Sequence, residues 1–418
     1  MASDGQSHVS DDGAAPRRLL WCCGLIALAS VVGQGVNFHL QPIRSDGLGY
    51  WEFLPALLQY HDPWLARLQL RPSPRGTRFD FDEAMVQVGP ERFLIKYPMG
   101  TALCWAPFYA LAHLYCRLDR SVVADSYSWP FQAAVDVAAT VYLIAGLLLL
   151  YRLAGRHGVS AQGRLMSLIA IVFGTNLFHY STYDACFSHV PAFFGVCVWL
   201  TALEAYVARP HWARAAAVGA GAGLVLLGRY TNAVLLLLLA AYWLQARKAA
   251  PTPAWHLAVA GLAATLVLSP QLLYNRLGSG SWFFQGYAQR GEGFIHWSRP
   301  RFGEVLTSDE HGILLYCPIL MPALVEASLR VWHGQDRWLF ASVLGVAAIQ
   351  AYILASWWWP GLGGFSQRGF AEYQALAYLP LALAYDRVRR GPARAAARPG
   401  VVLCCLYTTC LMLRYWWF

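Results

Sequence analysis

The chain has 418 residues, 57% hydrophobic and 13% charged, with a formal charge of +9. A soluble protein of this length would carry about twice that charged fraction, so a soluble globular domain is excluded and the apolar runs recurring from Leu19 predict a polytopic membrane protein. Those spans should be helices, which satisfy their own backbone in lipid, and the basic residues form no stripe interleaved with aromatics that would mark a nucleic-acid partner.

Met1 to Pro16 is polar and expected to be disordered, so residues 1–18 read as a cytoplasmic tail and 19–418 as a single transmembrane domain. The first span runs from about Leu19 to Phe38. It reads as an uncleaved anchor, with Arg17 and Arg18 holding its start in the cytoplasm. The hydrophilic 41–98 segment then lies outside, in the periplasm of a bacterial inner membrane, and carries interfacial helices, with an amphipathic segment over Trp51 to Leu70. A bacterial source fits the basic residues, because Lys96 and Lys248 are the only lysines among 32. Later spans fall near 131–152, 165–182, 187–207, 214–228, 231–245, 254–273, 311–331, 338–358, 371–386 and 400–416. The arginine clusters around Arg152 to Arg164, Arg209/Arg214, Arg247/Lys248, Arg330/Arg337 and Arg387 to Arg398 should be cytoplasmic. These assignments agree only if one crossing separates the 41–98 loop from Arg152. The run 98–116, punctuated by Pro98 and Pro107, is therefore expected to be interfacial or re-entrant, giving about eleven spans, or twelve if it crosses.

The outer side gathers the polar features. Asp46 and Tyr50 stand one helical turn apart and can face one cavity; Asp46 suits a general base or, equally, a helix cap. Lys96, where the chain returns to the membrane, can snorkel to head groups or bind a phosphate. Arg67, Arg71, Arg75, Arg78 and Arg92 add basic charge on the side where the bias disfavours it, either for anionic ligands or balanced by Asp80, Asp82, Glu83 and Glu91. Asp184 sits on a short outer turn near His189, and Arg229 interrupts a long apolar stretch, making two half-spans with a charged tip. Arg368 follows Trp357-Trp358-Trp359, which reads as an interface belt or as a sugar-stacking surface. The ten cysteines show no metal-binding or CxxC spacing; most lie in apolar runs and act as small hydrophobes.

In order, these motifs resemble the GT-C superfamily of polytopic glycosyltransferases, and within it the bacterial group with the aminoarabinose and protein O-mannosyl transferases. Asp46 and Tyr50 match that family's acidic residue and tyrosine at the start of the first outer loop. Lys96-Tyr97-Pro98 is similar to its Lys-Pro-Pro motif, with a tyrosine inserted and Met99 following. Gly174-Thr175 to Asp184 is similar to its second acidic site, and Gly223-Leu224 to Arg229 to its hairpin. The resemblance spans Leu19 to about Asp386 and implies an all-α GT-C fold that moves a sugar from a polyprenyl-phosphate donor to a glycan, lipid or protein acceptor, with inversion.

In that frame Asp46 is the base, Asp184 orients acceptor or base, and Lys96, Arg229 and Arg368 hold the donor phosphate. Tyr50, Tyr97, His189, Trp357 and Trp358 would contact substrate. No metal is required, although some relatives use a divalent ion with paired acidic residues. The competing classes are a polymerase or ligase using a lipid-diphosphate donor, and a lipid-linked sugar transporter or flippase. The latter would need internal repeats with matching broken helices, which the sequence lacks.

Overall fold

The structure, a computed structural model, describes residues 15–66, 84–249 and 252–417. The expectations for residues 1–14 and for Arg67, Arg71, Arg75, Arg78, Asp80, Asp82 and Glu83 fall outside them. In chain order the main elements are α1 (Ala15–Asn37), α2 (Asp46–Trp51), the antiparallel hairpin β1 (Met85–Gly89) and β2 (Arg92–Ile95), α3 (Gly100–Leu118), α4 (Trp129–Arg156), α5 (Ala161–Phe173), α6 (Leu177–Thr182), α7 (His189–Ala208), α8 (Trp212–Gly228), α9 (Leu237–Ala249), α10 (Trp255–Ser279), α11 (Leu320–Trp332), α12 (Arg337–Ala355), α13 (Gln374–Arg390) and α14 (Ala397–Trp417).

Among the described residues six helices, α1, α4, α7, α10, α12 and α14, are long and apolar enough to cross a membrane. Their outer faces carry exposed leucines, such as Leu257, Leu262, Leu266, Leu273 and Leu277 on α10 and Leu403 and Leu406 on α14. Rows of this kind are stable against lipid and would not be against water. The chain is thus a multi-pass membrane protein. Inside the bundle, small residues set the closest approaches. Side chains at Gly219 and Gly223 of α8 would run into the α10 backbone at Ala260 and Ala264, the small-residue contact that lets helices pack tightly in lipid.

The 98–116 run forms the unbroken 19-residue α3, with Pro107 inside it, and is not among the six span candidates. Three expectations are corrected here. The 165–182 run is split into α5 and α6 at Gly174-Thr175-Asn176. There Thr175 Oγ1 bonds back to the Ile171 carbonyl at 2.6 Å and the Asn176 amide reaches the Gln367 carbonyl at 3.1 Å, so side chains replace the helical ladder. The 311–331 run breaks at Cys317-Pro318 before α11 begins at Leu320, since proline offers no backbone donor. Finally, within its described residues the segment from Trp51 is not one continuous amphipathic helix; its helical part ends in a short turn over Pro55–Gln59. Trp51, Phe53 and Leu54 are buried, and the Trp51 ring packs on Trp105, Tyr109 and Phe131 while its indole N–H donates to the Ser126 carbonyl at 2.9 Å.

The half-spans around Arg229 are as expected. α8 stops at Gly228, Arg229 is extended, and a 3-10 turn over Tyr230–Leu236 leads into α9. Several of the arginine-rich turns meet at one end of the bundle. Arg387 and Arg330 share Glu326 at 2.6 and 3.0 Å, His157 meets Glu204 at 3.1 Å, and Ser160 meets Asp386. The first loop, the hairpin and the turns at Asp184, Arg229 and Arg368 interlock through direct contacts of their own.

Candidate functional site

Asp46 is the first residue of α2, reached through a turn in which Gln41 and Ser45 take positive φ. It does not act as a helix cap: Ser45 holds the cap position and no side chain bonds there. The Asp46 carboxylate instead accepts from the Tyr97 hydroxyl on Oδ1 and from Arg368 Nη1 on Oδ2, both at 2.8 Å. Tyr50, one turn on, stacks on Tyr97 with ring centroids 4.4 Å apart. Gly49 makes that stack fit, because a Cβ there would strike the Tyr97 ring.

These groups open onto a cavity of about 860 Å³. Asp46, Tyr50, Lys96, Tyr97, His189, Arg229, Trp357 and Arg368 all line it, with an aromatic wall from Trp282 to Trp297. Each cation on this surface has an acidic partner. Lys96 Nζ lies 2.6 Å from Glu292 Oε1 and 5.3 Å from the ring centroids of both Tyr97 and Tyr287. Arg229 Nε lies 3.5 Å from Glu372 Oε1, and its Nη1 lies 3.1 Å from His189 Nδ1. Arg368 completes the set through Asp46. Burial alone would push the Asp46 carboxyl up, but the Arg368 guanidinium, the Tyr97 hydrogen bond and Lys96 together hold it below the usual carboxylate range.

Two sequence-predicted residues stand apart. Trp358 is 41% exposed and packs on Trp359 instead of lining the cavity. Asp184 is buried behind it: Oδ1 accepts from Arg44 Nη2 at 3.1 Å and Oδ2 from His179 Nε2 at 3.0 Å. The Trp416 indole N–H, which can only donate, meets His179 Nδ1 at 2.9 Å, so Nε2 carries the imidazole proton and points it at Asp184. The His179 hydrogen bond and Arg44 outweigh burial and keep the Asp184 carboxyl ionised below its ordinary pKa. Its contacts brace Arg44, two residues before Asp46, rather than reach the cavity. Arg92, grouped by sequence with the basic loop, is exposed on β2 and lies outside the cavity as well.

The sequence reading missed Glu292, Tyr287, Arg44 and Glu372. Glu372 had a signal, being a carboxylate one helical turn beyond Arg368 at the start of an apolar run, where ionisable groups are costly. Glu292 and Tyr287 had none, since their value depends on a loop folding back over Lys96.

No protein-family model matches the sequence, and no curated protein matches it. The fold is similar to that of the Archaeoglobus fulgidus oligosaccharyltransferase. Its crystal structure in complex with Zn and sulfate aligns with a TM-score of 0.54 at 14% identity, over 94% of this chain and 52% of that one. The archaeal oligosaccharyltransferase AglB from the same organism, in complex with an inhibitory peptide and a dolichol-phosphate, aligns at 0.51 and 12% identity, over 94% and 55%. A third structure, tethered with an acceptor peptide containing the NVT sequon, gives 0.51 and 12%, over 94% and 54%. The chain spans about half the length of these proteins. The likeness is one of fold: the chain has the all-α, multi-helix GT-C fold.

Proposed function

We propose that the chain is a membrane glycosyltransferase that moves a sugar from a polyprenyl-phosphate donor to an acceptor hydroxyl or amine on the extracytoplasmic face of a bacterial inner membrane. The observation that carries this reading is the cavity in which the ionised Asp46 carboxylate stands among three cations, Lys96, Arg229 and Arg368, with Glu292 paired to Lys96 on the same lining. The donor phosphate lies against the cations. Asp46, whose oxygens each keep a lone pair beyond their present partners, accepts the acceptor's proton as its oxygen or nitrogen attacks the anomeric carbon opposite the phosphate. The bond from that carbon to the phosphate oxygen breaks, the configuration inverts, and the charge left on the lipid phosphate is stabilised by the three cations. Aromatic faces such as Tyr50 and Trp357 suit the sugar ring. Asp184 serves from behind, by holding Arg44.

The charge balance supports a monophosphate donor over the diphosphate of a polymerase or ligase. Lys96, Arg229 and Arg368 are each matched by one carboxylate, and no other lysine or arginine lines the cavity among the described residues. Against a cavity whose charges already balance, a phosphodiester adds a single negative charge and a diphosphate adds two.

The oligosaccharyltransferase structure with Zn raises the question of a divalent ion. Both oxygens of Asp46 and both of Asp184 accept from arginine, tyrosine or histidine donors. Among the described residues no three His, Cys, Asp or Glu side chains gather as a ligand set. This donor set fits arginine pairing and not a shared metal, so no step is routed through one.

The test offers purified protein a panel of radiolabelled sugars linked to polyprenyl monophosphate or diphosphate, scoring binding and transfer separately. The reading expects binding and consumption of a monophosphate donor. Binding of diphosphate donors alone would overturn it.

A further inference from the structure

Of the three carboxylates that balance the cavity's cations, two face the cavity and one does not. Asp46 and Glu292 line it and keep 24% and 20% of their side-chain surface. Glu372 is fully buried, lies outside the lining, and touches the cavity only through the two residues it holds. Its Oε1 lies 3.5 Å from Arg229 Nε, and its Oε2 lies 3.3 Å from His189 Nδ1, which in turn lies 3.1 Å from Arg229 Nη1. Arg229, His189 and Glu372 therefore close a triangle whose first two corners form cavity wall and whose third is behind it.

A carboxylate with no access to water is costly, by several kcal/mol even after relaxation, and this one is incompletely repaid. Oε1 has no partner within hydrogen-bond geometry, so its attraction to Arg229 is ionic only. Packing alone would be served better by an apolar side chain of similar volume. Glu372 also ends the turn that begins at Arg368, where the Phe370 N–H bonds to the Gln367 carbonyl and the Ala371 N–H to the Arg368 carbonyl. One short turn thus carries one cavity cation and the counter-charge of another.

We propose that Glu372 is a positioning residue for the donor site, holding Arg229 and His189 where they meet the donor's phosphate. This rests on the glycosyltransferase reading above and adds to it a group that never touches substrate. A ligand phosphate can displace Glu292 from Lys96 or share Arg368 with Asp46, because both carboxylates face the cavity; it cannot reach Glu372. The Arg229–Glu372 contact therefore persists through binding and fixes which edge of the guanidinium is presented. Without it the arginine keeps its charge and loses its direction, and directed donors are what a guanidinium contributes over a bare charge.

The test is a double-mutant cycle on Glu372→Gln and Arg229→Ala, read as binding of undecaprenyl phosphate to detergent-purified protein by quenching of tryptophan fluorescence. Glu372→Gln should weaken binding about ten- to a hundredfold, as for the loss of a buried counter-charge, and Arg229→Ala should do the same. The double variant should be no weaker than Arg229→Ala alone, because Glu372 acts through Arg229. Glu372→Asp, which keeps the charge, should recover part of the loss and replaces Glu372→Gln in the cycle if the latter fails to fold. Wild-type affinity in Glu372→Gln, or losses that add in the double variant, would overturn the proposal. If the wild type binds no undecaprenyl phosphate at all, the donor reading itself fails, which is a separate result.

Discussion

Asp46 and Glu52 belong to one short segment, yet their carboxyl groups are pushed in opposite directions. Asp46 is held low by Arg368 and Tyr97. Glu52 is 1% exposed, accepts from the Tyr127 hydroxyl at 2.6 Å, and has one oxygen without a partner; burial pushes it up to about 8. A carboxyl raised by folding keeps its proton in the native state while the unfolded chain loses it. Stability from this group is thus full below the ordinary glutamate range and declines as pH rises toward 8. Glu52→Gln should flatten that decline, and thermal unfolding of both proteins in detergent between about pH 4 and 9, the range spanning both pKa values, checks it. For Asp46 the sign is opposite: its ionised form and its pairing persist above the usual aspartate range and are lost only below it. The acid limb of the pH–rate profile for transfer should therefore lie below that range, and a limb near neutrality would point to another base.

At the scale of elements, the sequence was most legible where a polar residue interrupted an apolar run. Arg229 among leucines could only be a helix junction, because an arginine inside a continuous span is costly unless partnered, and the chain breaks there. The break at Gly174 to Asn176 was not legible. Its carbonyls accept from the hydroxyls of Thr175, Thr408 and Thr409 and its fold is tied to Gln367, nearly two hundred residues away, and no local pattern encodes those distant partners. The hairpin was hidden for a different reason. Val86, Val88, Phe93 and Ile95 flank the Gly89-Pro90-Glu91 turn, but the signal lies inside a loop whose average is polar. Its job is to deliver Lys96 and Tyr97 to α2, and the fit there is close. Gly49→Ala should push Tyr97 away from Asp46 and lower transfer about tenfold or more, since small misplacements near the reacting atoms are expensive. Donor binding should fall much less. Equal loss of both would place the damage in folding instead.

Across the whole molecule, the bundle reads as a scaffold that gathers its polar turns around one cavity. Composition and span length fixed the class, and the alternation of arginine-rich and cavity-forming turns fixed which turns share an end. Charge balance inside the cavity was beyond sequence reading, because Glu292 and Glu372 become partners of Lys96 and Arg229 only after long stretches of chain fold back. The sidedness proposed here predicts that a cysteine at Phe283, which is 80% exposed beside the cavity, reacts with a membrane-impermeant maleimide in intact cells. One at Gly391, beyond the arginine-rich end of α13, should react only after permeabilisation. The reverse pattern would invert the orientation and move the cavity to the cytoplasm.

The central claim is that Asp46 is the base of a sugar transfer from a lipid phosphate. Its most direct test compares wild type with Asp46→Asn, using a consumed polyprenyl-phosphate sugar and scoring transfer and donor binding in the same preparation. We predict that transfer falls by about a hundredfold or more, the usual weight of a general base, while donor binding persists. Normal transfer by Asp46→Asn would contradict the account and leave Asp46 as no more than an anchor for Arg368 and Tyr97.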